Sequence, residues 1–270
     1  MIKVTIHAKP NVPWQKRLGP LVVNGLKKHN VQVTMSDVSR HTSDVAIILG
    51  PNYWKPIENS GKPYIMMNRK FIGFGDRDVH DNVAISWDGF NGRGTFCVDE
   101  IDPDRFHRYV KEDEFMEWRT PGKNYLICEQ ADTGRCKQFT TPTQWYAYVE
   151  QNVKGPLKRR KKVHPVSGKI PTFKRGLIDD LKITKAAIVL NSTVSTEILL
   201  FGTPVISMDK GDPTYPINSH SLNIIIYPDR LPFFQYLAHC QWHYDEIKNG
   251  NFWAQIYPKR GPKLCEWKNV

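Results

Sequence analysis

Short apolar segments alternate with longer segments of helical periodicity along this chain of 270 residues, and this alternation constrains the fold most. Residues 44–49 are an almost continuous apolar run, the type of strand that is buried on both faces of a sheet. Residues 14–28 carry apolar side chains at helical spacing and end in two lysines, which suit the last turn of a helix. Strands that alternate with helices predict parallel sheets.

The alternation occurs twice, with a boundary near residues 120–122. The first series predicts strands at 1–6, 31–35, 44–49 and 63–68. The second predicts strands at 124–128, 186–190, 204–208 and 222–226, and helices at 143–151, 177–181, 193–201, 233–249 and 251–257. The predicted fold class is therefore α/β, with two Rossmann-like parallel-sheet domains.

Composition excludes several classes of protein. With 40% apolar residues the chain can bury cores, yet it has no apolar run of 18 residues that would span a membrane. The N-terminus lacks the features of a signal peptide, so we expect a cytoplasmic protein. Five cysteines without a CxxC pair argue against a zinc site or a disulfide framework. No glycine-rich fingerprint follows the first strand, which argues against NAD and FAD.

The net charge of +11 is concentrated in one part of the chain. Nine basic residues lie between residues 154 and 175, and no acidic residue occurs from 151 to 178. Such a block attracts phosphate, in nucleic acid, in a nucleotide or in a lipid headgroup. The alternative is a solvated loop that keeps the protein soluble.

The most informative segment is 188–207, which predicts a strand, a polar turn, a helix, a glycine stop and a second strand. Ser192 and Thr193 lie where the helix begins, so their hydroxyls and the backbone N–H groups could bind a diphosphate. Glu197 lies one turn further, and its carboxylate could accept hydrogen bonds from both hydroxyls of a ribose. The alternative is structural, with Ser192 as an N-cap and Glu197 as half of a capping box.

This segment resembles the donor-binding motif of GT-B glycosyltransferases, in which a polar turn opens a helix carrying Glu, followed by Gly-x-Pro-Val. The resemblance covers residues 122–257 and extends to the N-terminal half only in architecture. It implies that Ser192 and Thr193 contact the diphosphate of the donor and that Glu197 contacts its ribose.

The same resemblance implies further donor contacts. Gln130 and the loop that leads to Arg135 would face the nucleotide, and His164, in the sequence Lys-Val-His-Pro, would contact phosphate. The implied architecture is two domains facing a cleft: an acceptor-binding domain (1–120) and a donor-binding domain (121–270) whose last helices can cross back. The donor is a nucleotide-sugar, most commonly a UDP-sugar. No cofactor is obligatory, and a divalent metal can participate without being required.

An inverting transfer needs a base that takes the proton of the acceptor hydroxyl, although the sequence does not decide between inversion and retention. Asp88 is the first candidate, because it follows an apolar strand and precedes a glycine-rich loop. Its alternative is an aspartate that only shapes a turn. Asp76 and His7 are further candidates.

The acceptor is predicted from the charge. A neutral polysaccharide does not require a protein of charge +11, whereas double-stranded DNA attracts one. The chain resembles phage glycosyltransferases that modify hydroxymethylated pyrimidines, such as 5-hydroxymethylcytosine, which must leave the base stack to react. In a phage protein the location would be the host cytoplasm. Contacts with the base and the duplex are predicted for Trp87, Phe90, Arg93, Lys158, Arg159, Arg160, Lys161 and Lys162.

Phe71 and Phe74 are further candidates for contact with the flipped base, and core packing is the alternative for all of these aromatic residues. Two other functions stay open. The first is a glycosyltransferase of capsule or cell-surface polysaccharide synthesis, with the basic block on anionic lipid. The second is a non-catalytic DNA-binding protein on a degenerate transferase fold. The sequence leaves the oligomeric state undetermined.

Overall fold

The computed structural model describes residues 1–38, 40–73, 81–130, 139, 141–161 and 173–268. Its strands are β1 (Ile2–His7), β2 (Val31–Ser36), β3 (Val45–Leu49), β4 (Tyr64–Arg69), β5 (Asn82–Trp87), β6 (Asn124–Cys128), β7 (Leu157–Arg160), β8 (Thr184–Val189), β9 (Val205–Ser207) and β10 (Gln241–His243). Its helices are α1 (Pro13–Lys27), α2 (Trp54–Glu58), α3 (Pro103–His107), α4 (Pro142–Asn152), α5 (Phe173–Lys182), α6 (Val194–Leu200), α7 (Leu231–His239), α8 (Tyr244–Lys248) and α9 (Asn251–Ile256).

The chain forms two α/β units, each with its own sheet, which confirms the predicted fold class. The first unit contains Met1–Tyr109 and Phe233–Trp267, and the second contains Val110–Pro232. The sequence placed the boundary near residue 120. The chain joins the second unit earlier because the backbone N–H groups of Met116 and Arg119 donate to the carbonyls of Leu200 and Gly202.

The sheet of the first unit has the strand order β10-β5-β4-β3-β1-β2. β1 to β4 pair in parallel, as the alternation predicted, but β5 is antiparallel to β4, and β10 is antiparallel to β5. The carboxyl ends of β1, β3 and β4 therefore share one edge of this sheet, and β5 ends at the opposite edge. Leu18, Val22 and Leu26 of α1 are buried against the sheet, which explains their helical spacing.

The predicted helix at 233–249 is wrong, because the structure divides this segment into α7, β10 and α8. Gln241 is completely buried where the helix would continue. Its Oε1 accepts hydrogen bonds from the N–H groups of Phe71 and Ile72, at 3.0 and 3.1 Å, and its Nε2 donates to the Ile72 carbonyl. This long-range pairing favours a strand over local helix formation.

The sheet of the second unit is parallel throughout, with the order β7-β6-β8-β9. Trp145 and Val149 of α4 are fully buried in its core. The predicted strand at 222–226 is wrong: Leu222 and Ile225 pack on the core of the second unit, but Ile224 and Ile226 are 57% and 38% exposed, and the segment pairs with no strand of the described residues. No helix among the described residues is long and apolar enough to cross a bilayer.

Gly202 ends α6, as the sequence predicted, and lies close to the backbone of Met116 and Glu117. Its φ is +70°, and an added Cβ would lie 2.0 Å from the carbonyl oxygen of Glu117. Gly61 has nearly the same φ, +69°, but no atom lies within 4 Å of an added Cβ. The two glycines share a left-handed backbone conformation and differ in the surrounding space.

We predict that Gly61→Ala lowers the free energy of unfolding by about 1–2 kcal/mol, through backbone strain alone. Gly202→Ala adds a clash with backbone and costs about 1–3 kcal/mol more. Urea unfolding followed by tryptophan fluorescence measures both variants. Equal losses would show that the second unit relaxes around the added methyl group.

Candidate functional site

The second sheet has a topological switch point between β6 and β8. The chain leaves β6 towards β7 on one side and leaves β8 towards β9 on the other side. In open α/β sheets, ligands bind outside the carboxyl ends of the strands at such a point, because the connecting loops separate there. The segments after β6 and β8, which begin at Glu129 and Leu190, flank this position.

Three charged residues lie near the carboxyl end of β6. Burial raises the pKa of the Cys128 thiol to about 12; the charge of Arg160 opposes this shift, and those of Asp180 and Glu197 add to it. These three side chains are therefore close enough to Cys128 to interact electrostatically. The thiol stays protonated at neutral pH, so Cys128 is a core residue rather than a nucleophile.

The polar turn predicted to bind diphosphate lies at this edge of the sheet. Thr193, rather than Ser192, occupies the N-cap position of α6, and the helix has no side-chain cap hydrogen bond, so the structural alternative is not formed as predicted. The Ser192 hydroxyl accepts a long hydrogen bond, 3.4 Å, from the N–H of Val194. Both hydroxyl-bearing residues and Glu197 are half-buried.

Gln130 follows β6 at the same edge, and its backbone is held in place. Its N–H donates to the Tyr146 hydroxyl at 2.7 Å, and that hydroxyl donates back to the Gln130 carbonyl at 3.2 Å. The guanidinium of Arg159 lies 4.9 Å from the centre of the Tyr146 ring. The parallel sheet therefore brings Gln130 to the same edge as Ser192, Thr193 and Glu197.

A buried polar network, which the sequence patterns above did not predict, lies in the loop after β9. Oδ1 of Asp212 accepts hydrogen bonds from the N–H and the hydroxyl of Thr214, at 2.8 and 2.7 Å, and from Asn218 at 3.3 Å. A hydrogen bond with Ser195 connects the network to the first turn of α6. The signal was present in the two aspartate turns of Asp-Lys-Gly-Asp-Pro-Thr at 209–214.

Part of the basic block, Leu157–Arg160, forms the strand β7, whereas the alternative interpretation of the block was a solvated loop. Arg159 pairs with Glu150, at 2.5 Å. Lys158 and Arg160 both pair with Asp180, at 2.6 and 2.5 Å. The acidic partners come from α4 and α5, just outside the sequence window that lacks acidic residues, so this part of the block is largely neutralised. Lys161 is exposed.

Asp88 lies at the edge of the first sheet that is opposite to the carboxyl ends of β1, β3 and β4, because it follows the antiparallel β5. Its φ is +52°, and its Oδ1 accepts a hydrogen bond from the N–H of Tyr64 at 3.0 Å. Its Oδ2 lies 3.5 Å from Nε of Arg260. These contacts correspond to the turn-forming alternative, and the geometry does not favour Asp88 as a base.

Of the aromatic residues predicted to hold a flipped base, Trp87 and Phe71 are buried in the first unit and Phe90 is half-buried. Trp87 is 1% exposed, and its indole N–H donates to the Ile256 carbonyl at 3.1 Å. Phe90 packs against Trp54, with 5.9 Å between the ring centres. Phe71 is 3% exposed. Trp87 and Phe71 therefore follow the core-packing alternative. Arg93 is half-buried near the charge of Glu58.

Five residues named from the sequence lie outside the described part of the chain: Phe74, Asp76, Arg135, Lys162 and His164.

His7 lies at the carboxyl end of β1, beside the switch point between β1 and β3 in the first sheet. Its side chain is completely buried. Nδ1 lies 2.7 Å from the Val38 carbonyl, and Nε2 has no hydrogen-bond partner within the described residues. Burial lowers the pKa of His7. The hydrogen bond to Val38 raises this pKa and the charge of His41 lowers it, and the net shift is downward, so the ring is neutral at pH 7.

Within the described ranges, no group of three or more His, Cys, Asp or Glu side chains is arranged to hold a metal ion.

Comparison with known protein families finds no match, and neither does comparison with curated protein sequences. Among solved structures, KpsC of Thermosulfurimonas dismutans, a β-Kdo 2,7-transferase, is similar in fold with a TM-score of 0.53. The identity is 12%, over 94% of this chain and 99% of that one. This likeness shows that the chain has the fold of a glycosyltransferase.

Two more distant structures are also transferases. The β-Kdo 2,4-transferase of KpsC from the same organism has a TM-score of 0.47 at 14% identity, over 88% of this chain and 90% of that one. An α1,3-fucosyltransferase has a TM-score of 0.33 at 12% identity, over 92% and 82%.

The pKa of Asp212 gives a pH-dependent prediction. The pKa of Asp212 is raised to about 7. Burial is the largest cause, the hydrogen bonds from Thr214 and Ser195 lower the pKa, and the charge of Asp209 raises it. The folded state then holds a proton that the unfolded chain releases above about pH 3.8. The contribution of Asp212 to the free energy of unfolding is therefore complete below that pH and is lost as the pH rises through about 7.

We predict that the free energy of unfolding of the wild type falls by roughly 2–3 kcal/mol between pH 5 and pH 8, relative to Asp212→Asn. Asn replaces the protonated carboxyl without titrating. Denaturant unfolding at several pH values measures the difference, with Asp179→Asn as an exposed control in the same unit. Parallel pH profiles of wild type and Asp212→Asn would show that Asp212 is ionised in the fold.

Proposed function

We propose that this protein is a glycosyltransferase whose nucleotide-sugar donor binds at the carboxyl edge of the second sheet. One observation carries the proposal: the switch point between β6 and β8 brings Gln130, Ser192, Thr193 and Glu197 to one edge. The sequence motif selected these residues independently of the topology. The fold likeness to a β-Kdo 2,7-transferase supports the same chemistry.

Each residue has a role that fits its chemistry. The hydroxyls of Ser192 and Thr193 donate hydrogen bonds to the diphosphate, and the exposed ammonium of Lys161 adds positive charge at the end of β7. Glu197 accepts hydrogen bonds from the ribose hydroxyls. Gln130 contacts the nucleotide base with its side-chain amide. Because α6 has only seven residues, its dipole adds little, and side chains carry the anion binding.

For proton acceptance we keep both Asp88 and His7 as candidates. Asp88 is exposed, although contacts with Tyr64 and Arg260 hold it in a turn. His7 is neutral at pH 7 and lies at the carboxyl end of β1, but its ring is completely buried, so an acceptor hydroxyl would have to displace the packing around Nε2. Transfer with inversion remains the proposed course, and the donor is a UDP-sugar that needs no metal.

For the acceptor we propose a saccharide of a surface polysaccharide. Two arguments for DNA as the acceptor are weakened. Trp87, a predicted contact with the base, is buried, and the basic side chains of β7 are paired with Glu150 and Asp180. The overlap in fold with a β-Kdo 2,7-transferase favours a sugar. The net charge of +11 keeps a hydroxymethylated pyrimidine in DNA as the second candidate.

We predict that Glu197→Gln weakens UDP binding roughly 10- to 100-fold, because a neutral amide replaces a charge-assisted contact with the ribose. Glu150→Gln is the matched control: it removes the same charge from a helix of the same unit, at the Arg159 ion pair. Isothermal titration calorimetry measures both variants. Equal affinity for wild type and Glu197→Gln would remove the ribose role, and no UDP binding by the wild type would remove the proposed donor.

The acceptor is tested by incubating the protein with a panel of nucleotide-sugars and two acceptor sets. One set contains surface oligosaccharides, and the other contains duplex DNA with hydroxymethylated pyrimidines. Mass spectrometry detects the added sugar. Transfer to an oligosaccharide supports the proposal, and transfer to DNA alone replaces it with the second candidate. Nucleotide binding without any transfer would favour a non-catalytic protein on a transferase fold.

A further inference from the structure

The loop after β9 returns to the carboxyl edge of the second sheet. The chain leaves β9 after Ser207 and comes back beside it at Ser219, which forms an isolated parallel bridge with Ile206. The N–H of Ser207 donates to the Ser219 carbonyl at 2.9 Å, and the N–H of Ser219 donates to the Val205 carbonyl at 3.2 Å. Because this pairing is parallel, the next residue, His220, lies at the carboxyl edge, on the side of β9 that faces away from β8.

The buried polar network around Asp212 restrains this loop just before His220. Asp212 and Thr214 are completely buried, and Asn218 is 3% exposed. In addition to the bonds to Asp212, Nδ2 of Asn218 donates to the Thr214 hydroxyl at 2.7 Å. Side chains that form hydrogen bonds within their own loop restrict its conformations. The backbone that carries His220 is therefore held by the loop itself and by β9.

The His220 ring is exposed, yet two contacts fix its orientation. Nδ1 lies 3.0 Å from the Ser207 carbonyl, and the ring stacks on Tyr215, with 3.8 Å between the ring centres and 12° between the planes. A carbonyl only accepts, so Nδ1 donates this hydrogen bond, and Nε2 of the neutral imidazole is an acceptor. Nε2 has no hydrogen-bond partner within the described residues. An oriented ring loses little conformational entropy when it binds a ligand.

His220 lies close to the proposed donor site along the same edge. The Ser207 hydroxyl donates to the Leu190 carbonyl at 3.0 Å, so the carboxyl ends of β8 and β9 are directly connected. Neighbouring strands are about 4.8 Å apart, which places His220 about 10 Å from the segment after β8. Gln130 lies on the other side of that segment, after β6. The edge thus presents, in order, Gln130, the polar turn after β8 and His220.

This order matches the order of the groups in a nucleotide-sugar. The diphosphate joins the nucleoside to the sugar, so a donor with its base at Gln130 and its diphosphate at the polar turn extends its sugar towards β9. We propose that His220 contacts this sugar, with Nε2 accepting a hydrogen bond from a sugar hydroxyl, and that it contributes to the choice of donor sugar. This inference rests on the proposed function, since it requires the donor to bind at this edge.

The test compares the binding of UDP with that of UDP-glucose, UDP-galactose, UDP-N-acetylglucosamine and UDP-glucuronate by isothermal titration calorimetry. For the sugar donor that binds most tightly, we expect His220→Ala to weaken binding about three- to tenfold, the usual effect of one neutral hydrogen bond. The affinity for UDP, which lacks the sugar, should be unchanged. His220→Asn retains an amide that can donate to the Ser207 carbonyl but lacks Nε2, so we expect the same loss.

The matched control is Asn223→Ala, which removes an exposed polar side chain from the same segment. The Asn223 amide donates to the Asn152 carbonyl, at the end of α4. This variant should bind UDP and the sugar donor as the wild type does.

Four results would overturn the sugar contact and leave the donor site in place. These are equal losses for UDP and the sugar donor in His220→Ala, no loss for either ligand, wild-type affinity for the sugar donor in His220→Asn, and binding of UDP but of no sugar donor by the wild type. Equal losses would show that His220 only supports the loop. If the wild type does not bind UDP, the proposed donor site fails, and the sugar contact fails with it.

Discussion

Parallel pairing of β6 with β7 on one side and β8 on the other is the constraint on which the proposed donor site depends. It forces three strands to end at one edge, and the chain must leave that edge in two directions. The segments after β6 and β8 are separated by this divergence rather than by any local motif. Glu197 and Gln130, which are 67 positions apart in the sequence, come to the same edge for this reason.

Local patterns were sufficient to predict most strands of the two sheets. The apolar run of β3 and the Ser-Thr turn before α6 were read correctly because burial and helix initiation leave marks on neighbouring residues. The direction of β5 leaves no such mark. It depends on pairing with β4 and β10, and it determines that Asp88 lies at the edge opposite to the carboxyl ends of β1, β3 and β4.

The charge pattern of the sequence also did not show how the basic residues are paired in the fold. The sequence window around β7 contains no acidic residue, but Asp180 and Glu150, from two different helices, form ion pairs with its three basic side chains. Net charge describes the whole chain, whereas binding depends on how the individual charges are paired in the fold.

The most direct test of the proposed donor site is to locate bound nucleotide on the protein. Hydrogen–deuterium exchange with and without UDP, read out by mass spectrometry of peptides, reports which backbone amides the ligand protects. The account predicts protection in peptides that contain residues 129–130 and 190–197, with the amino ends of the same strands unchanged. Protection confined to the first unit, or to the opposite edge of the second sheet, would contradict it.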